Sequence, residues 1–195
     1  GDDKRISDWL DLARQHFEHA TELQKNYTDG LFSLIEMDSK FKSTVSDKWI
    51  QKLNNRLEHQ PFAANNVNRI ANLVICHIEN TCKLETQSMI SIIQAAQRNP
   101  ALKGGIKAEL YFISSKYAIE KLHDLEAGIY FMAQAIHDNP KDLRYRLQLV
   151  KFLIILNRFE DAREELNKAR QLSLLSNYTD EIKEYNRQLN ARSTH

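Results

Sequence analysis

The sequence is poor in the residues that make turns. Five Gly and three Pro occur among 195 residues, a combined share of about 4% against about 12% in ordinary proteins. That scarcity excludes collagen-like and low-complexity chains, and it argues against an all-β fold, which needs turn residues at short intervals. Two cysteines are too few for a disulfide scaffold. At this length a single hydrophobic core can hold a chain together without staples. Long apolar runs are also missing. The longest is Phe152–Leu156, far short of the roughly 18 residues of a membrane span, and no secretory leader is visible within these residues. Neither sign of charge dominates: 27 Lys and Arg face 26 Asp and Glu, for a net charge of +1. A nucleic-acid-coating domain normally carries a basic excess, so no nucleic-acid partner is expected.

What is present is helix-forming sequence. Apolar residues recur at three- and four-residue spacing almost throughout. Trp9, Ala13, Phe17, Ala20 and Leu23 mark a first helix over about 6–25, and Leu31, Leu34, Ile35 and Phe41 a second. Ser46 stands as the N-cap of a third carrying Trp49, Ile50, Leu53 and Leu57, and Asn65 or Asn66 as the cap of a fourth after Pro61. A fifth ends at Asn99-Pro100, Gly104-Gly105 opens a sixth reaching about Leu122, and helices follow over about 125–138, 142–156, 160–173 and from Tyr178 onward. The expected fold class is all-α, with short connections that favour antiparallel hairpins.

A shift of 34 residues superimposes Leu125 on Phe159, Gly128 on Ala162, Met132 on Leu166 and Ala135 on Ala169. Small, large, small is the order required where the second helix of a tetratricopeptide-like repeat packs closely on its neighbours. A shift of 40 sets Asn99-Pro100 on Asn139-Pro140. The expectation is therefore a right-handed solenoid of tetratricopeptide-like hairpins over 85–195 with a C-terminal capping helix, continuous with a helical segment over 1–84 that has no clean 34-residue period. In such an array the first helix of each repeat lines a concave groove. Helical spacing then puts Arg144, Gln148 and Lys151 on one side, facing Tyr117 and Lys121 of the preceding first helix, as a candidate surface for a peptide or an anionic partner. The plainer alternative is a solvated face in which Arg144, Arg146, Lys151 and Arg158 are balanced by Glu160, Asp161, Glu164 and Glu165.

Cys76 and Cys82 enclose five residues. They could close a short disulfide loop in an oxidising compartment, remain two half-buried thiols, or recruit His77 toward a metal, although the spacing is not that of a zinc site. His16, His19 and a neighbouring Glu could be drawn as a metal site, but histidines on a solvated helix face explain the pattern better. No metal or cofactor is expected. The Asn26 and Asn177 sequons carry no weight in an Asn-rich chain. No nucleophile elbow, phosphate loop, zinc-protease helix or dinucleotide fingerprint occurs, so nothing in the sequence points to catalysis.

Taken together, Tyr27–Glu36, Leu73–Cys82, Arg98–Pro100, Asn139–Leu147 and Asn157–Leu166 resemble the soluble C-terminal region of bacterial membrane-embedded O-antigen polymerases and ligases. The resemblance implies a non-catalytic periplasmic domain, tethered to an upstream transmembrane region that holds the catalytic residues. It implies a protein, glycan or lipid-linked glycan partner, and an oxidised Cys76–Cys82 pair. Without that resemblance, the expectation is a cytosolic tetratricopeptide adaptor binding a peptide.

Overall fold

The computed structural model describes residues 2–24, 28–41, 45–172 and 178–191. Among them the chain is all-helical, with ten α-helices and no strand. These are α1 (Asp2–Leu23), α2 (Thr28–Phe41), α3 (Asp47–His59), α4 (Ala64–Ile78), α5 (Thr86–Gln97), α6 (Gly104–Glu120), α7 (Leu125–Asp138), α8 (Leu143–Ile155), α9 (Phe159–Leu172) and α10 (Thr179–Ala191). No helix of the described residues is long and apolar enough to cross a membrane. The chain divides into two compact units, 1–102 and 103–195. α5, which the sequence pattern groups with the repeats that follow, packs instead on α3 and α4 in the first unit.

The first unit is built on α2. Leu31, Phe32, Leu34 and Ile35 are fully buried because α1, α3 and α4 all pack on this helix. Arginines tie its neighbours down. Arg14 of α1 pairs with the buried Asp38 at 3.4 Å. Arg69 of α4 bonds Ser33 at 3.0 Å and Glu36 at 3.1 Å, and lies over the Phe32 ring. Arg56 of α3 donates to the Thr21 carbonyl in the last turn of α1 at 3.0 Å. The α4 cap differs from the sequence expectation. The helix starts after Ala63 with no side-chain cap, because Asn65 turns its amide to Asp29 of α2 at 2.9 Å and Asn66 is buried in the first turn. Ser46 does occupy the N-cap of α3, but its side chain makes no cap hydrogen bond.

After α4 the chain turns through Asn80 in the left-handed region, with φ 55°, and the Thr81 N–H donates to the Cys76 carbonyl at 2.8 Å. This brings Cys76 and Cys82 together as a disulfide, their Cα atoms 5.4 Å apart. The next residue, Lys83, donates its N–H to Ser39 at the end of α2 at 2.7 Å.

Asn99 closes the unit. Its buried amide donates to the carbonyls of Leu57 at 2.6 Å and Gln60 at 2.8 Å, and its side-chain oxygen accepts from the Ala101 N–H at 2.9 Å. One side chain thus satisfies acceptors that the C-terminal end of α3 would leave over. Asn99→Ala should cost the first unit about 1–3 kcal/mol, since buried carbonyls lose their donor and gain none. Urea denaturation followed by circular dichroism measures this, and Asn99→Asp, which sets a carboxylate against those carbonyls, should be worse than Ala.

In the second unit α6 packs on α7, α8 on α9, and α10 on both α8 and α9. The pairs found at the 34-residue shift share their environment: Gly128 with Ala162, Met132 with Leu166, and Ala135 with Ala169 are all buried. The turns match as well. His123 after α6 and Asn157 after α8, 34 positions apart, both take left-handed backbone, with φ 56° and 58°. Asp124 and Asp142 cap α7 and α8 through the N–H groups of Ala127 and Arg144.

α6 and α7 approach closely at Gly128. A Cβ there would lie 2.3 Å from Ile119 Cγ1, and the buried Ser115 hydroxyl donates to the Gly128 carbonyl at 2.7 Å. Gly128→Ala therefore sets a helix-propensity gain of at most about 1 kcal/mol against an overpacking cost of about 1–3 kcal/mol. A net loss near 1 kcal/mol is expected. In an Ile119→Ala background the sign should reverse, and a double-mutant cycle by chemical denaturation checks both.

Candidate binding cleft

One side of α8 carries Arg144, Gln148, Lys151 and Ile155 at alternating spacings of four and three, so all four share a helix face. At its N-terminal end the face is knitted to α6. Arg144 bonds Asp142 at 2.7 Å and Glu109 at 3.1 Å, and its guanidinium lies over the rings of Phe112 and Tyr145. Tyr145 donates its hydroxyl to the same Glu109 carboxylate at 2.8 Å. The Asp142 hydrogen bond holds the Arg144 pKa above its ordinary value. Burial, reinforced by Glu109, raises that of Tyr145. The arginine expected to offer an open cation is thus committed to two carboxylates.

The other end of the face is open. Lys151, Ile154 and Ile155 of α8 and Glu181, Glu184, Tyr185 and Gln188 of α10 line a cleft of about 540 Å³. Its apolar lining is Ile154, Ile155 and Tyr185. Ile155 is 54% exposed, and Tyr185 is half-buried with its hydroxyl donating to Glu181 at 3.2 Å. Burial, followed by Glu181, pushes the Tyr185 hydroxyl up to about 12. The rim is polar. Arg187 holds Glu184 through two hydrogen bonds of 2.9 Å, and Gln188 adds a third at 2.8 Å. Lys151 is exposed and has no ion-pair partner among the described residues.

The structure separates the five residues proposed for one concave surface. Tyr117 does not face a groove: it is 2% exposed, within the core of α6. Lys121 follows the last turn of α6, its N–H donating to the Tyr117 carbonyl at 3.1 Å. Arg144, Gln148 and Lys151 do share a face, and of these Lys151 lines the cleft. Two of the neighbouring cations are paired at 2.7 Å, Arg146 with Glu165 in a largely buried contact and Arg158 with Asp161 at the surface. The α10 wall went unnoticed in the sequence. The available signal was Tyr185 flanked by Glu181, Glu184 and Gln188 at helical spacing opposite an exposed Ile155. His16 and His19 are exposed on α1, and no cluster of three or more metal-ligating side chains occurs among the described residues. Asn26 and Asn177 lie outside the described residues.

Neither a protein-family model nor a curated protein matches the chain. The cleft has to be understood from its own chemistry.

The hydrogen bonds from Arg187, then that from Gln188, hold the Glu184 carboxyl at about 2, well below its usual 4.5. A depressed folded-state pKa means that the stabilisation is present at neutral pH and is lost as pH falls through about 2. Carbon-detected NMR titration should find Glu184 among the last carboxylates to protonate. In Arg187→Ala its midpoint should rise toward the ordinary glutamate value.

Proposed function

We propose that this chain is a non-catalytic helical-repeat binding domain, serving a membrane glycan polymerase or ligase on its extracytoplasmic side and holding a glycan or a partner segment in the α8–α10 cleft. The observation that carries this reading is the composition of the cleft. An aromatic ring and two isoleucine side chains line it together with a cation, two carboxylates and a carboxamide. A sugar presents the same division, with apolar C–H faces to lie on a ring and hydroxyls to bond to polar groups at the edge. The matched burial and matched turns at the 34-residue shift support the repeat architecture. The Cys76–Cys82 disulfide supports an oxidising compartment.

Two measurements test the proposal. Chemical-shift mapping with bacterial-type oligosaccharides should perturb Lys151, Ile155 and Tyr185, and Tyr185→Ala should weaken binding roughly tenfold, as the loss of one stacking ring would. The absence of any saccharide effect at the cleft would overturn the glycan assignment. Thiol titration of protein recovered from the periplasm without reductant should find no free cysteine. Two free thiols would instead favour the cytosolic peptide adaptor.

A further inference from the structure

α1 turns one side to the first unit and carries an apolar stripe on another. Leu10, Arg14 and Thr21 face the rest of the first unit: Leu10 lies with Met37 and Phe41 of α2, Arg14 pairs with Asp38, and Thr21 is buried. That stripe is Ile6, Trp9, Ala13, His16, Ala20 and Leu23, in strict three-four alternation over the helix. It is uncovered, with Ile6 56%, Trp9 70% and Leu23 71% exposed. Three-four alternation is the seam of a two-helix coiled coil. We propose that this seam pairs with the same seam of a second copy of the chain, the two α1 helices running antiparallel.

Size complementarity selects this partner and orientation. With the helices fully overlapped and antiparallel, Ile6 meets Leu23 of the second copy, Trp9 meets Ala20, and Ala13 meets His16. Two of the three distinct layers then set a large side chain against an alanine, so that the indole finds room, and the third pairs Ile6 with Leu23. A parallel pair would stack Trp9 on its own copy and Ala13 and Ala20 on theirs, crowding one layer and leaving voids in two others.

Charge agrees. On the exposed flank of the seam lie Arg5, Asp8, His19 and Glu22, all exposed. Antiparallel pairing brings Arg5 of one copy near Glu22 of the other, and Asp8 near His19, each contact occurring twice by symmetry. The same helix also carries Asp11 and Glu18 against only two other cations, Lys4 and Arg14, so an anionic membrane surface is a poor match for it. α1 has 22 residues, about 33 Å of helix, or three heptads of seam. The proposal concerns the first unit and is independent of the cleft.

Sedimentation velocity on the full chain, from low to high micromolar concentration, should show a reversible monomer–dimer equilibrium. Trp9→Glu should be monomeric throughout with unchanged helical circular dichroism, because this indole is exposed in the monomer. Iodide quenching of tryptophan emission should fall as the wild type dimerises, since the buried Trp49 contributes little to the quenched signal. Arg5→Glu and Glu22→Arg should each weaken self-association roughly tenfold, the effect of turning two symmetry-related surface pairs repulsive. Mixed together, they should form a heterodimer as tight as the wild type. A chain that stays monomeric at every concentration overturns the proposal. So does a dimer indifferent to Trp9→Glu, or a mixture of the two charge variants that fails to associate.

Discussion

Every helix ends in carbonyls with no intrahelical donor, and a chain with so few glycines has to satisfy them by other means. The left-handed residue that usually closes a helix is glycine because other side chains strain there. Here Asn80, His123 and Asn157 take that position at the ends of α4, α6 and α8. The N–H groups of Thr81, Asp124 and Arg158 then return to Cys76, Ala118 and Leu153. Side chains supply the remaining donors, Arg56 at the end of α1 and Asn99 at the end of α3. These closures decide where each helix stops and so which residues the next helix can meet. The disulfide loop follows from the Asn80 turn, and the α8–α9 hairpin from the Asn157 turn.

The helices were legible in the sequence because their apolar spacing is regular and their breaks carry Pro61, Pro100 and Pro140. The small residues Gly128, Ala135, Ala162 and Ala169 that stand out at the 34-residue shift are all buried, as close helix packing demands. The caps were not legible. An asparagine before an apolar run suits the N-cap of its own helix, yet Asn65 bonds Asp29, which lies 36 positions away in the chain. Nothing in the local spacing announces such a partner.

The site was half legible for a related reason. α6 buries Ile113, Ser114, Ser115, Tyr117 and Ala118, so it has no clean outward face from which Tyr117 could be assigned. A polar-tipped aromatic on a helix buried on most sides belongs to the core. α8 does keep one polar side, where Arg144, Gln148 and Lys151 lie at helical spacing. Whether a cation on that face is open depends on the neighbouring helix. α6 presents Glu109 to Arg144, while α10 sets Tyr185 among polar side chains in the cleft that Lys151 lines.

The two units also differ in how far apart along the chain their closing contacts lie. Ser115 reaches Gly128 across only 13 positions, whereas Asn99 reaches Leu57 across 42. Local contacts form early and distant ones late. During synthesis the first unit, although it leaves the ribosome first, cannot lock the end of α3 until Asn99 has emerged. By then much of the following hairpin is still inside the exit tunnel. Until then the Leu57 and Gln60 carbonyls at the end of α3 lack the donor that this asparagine supplies.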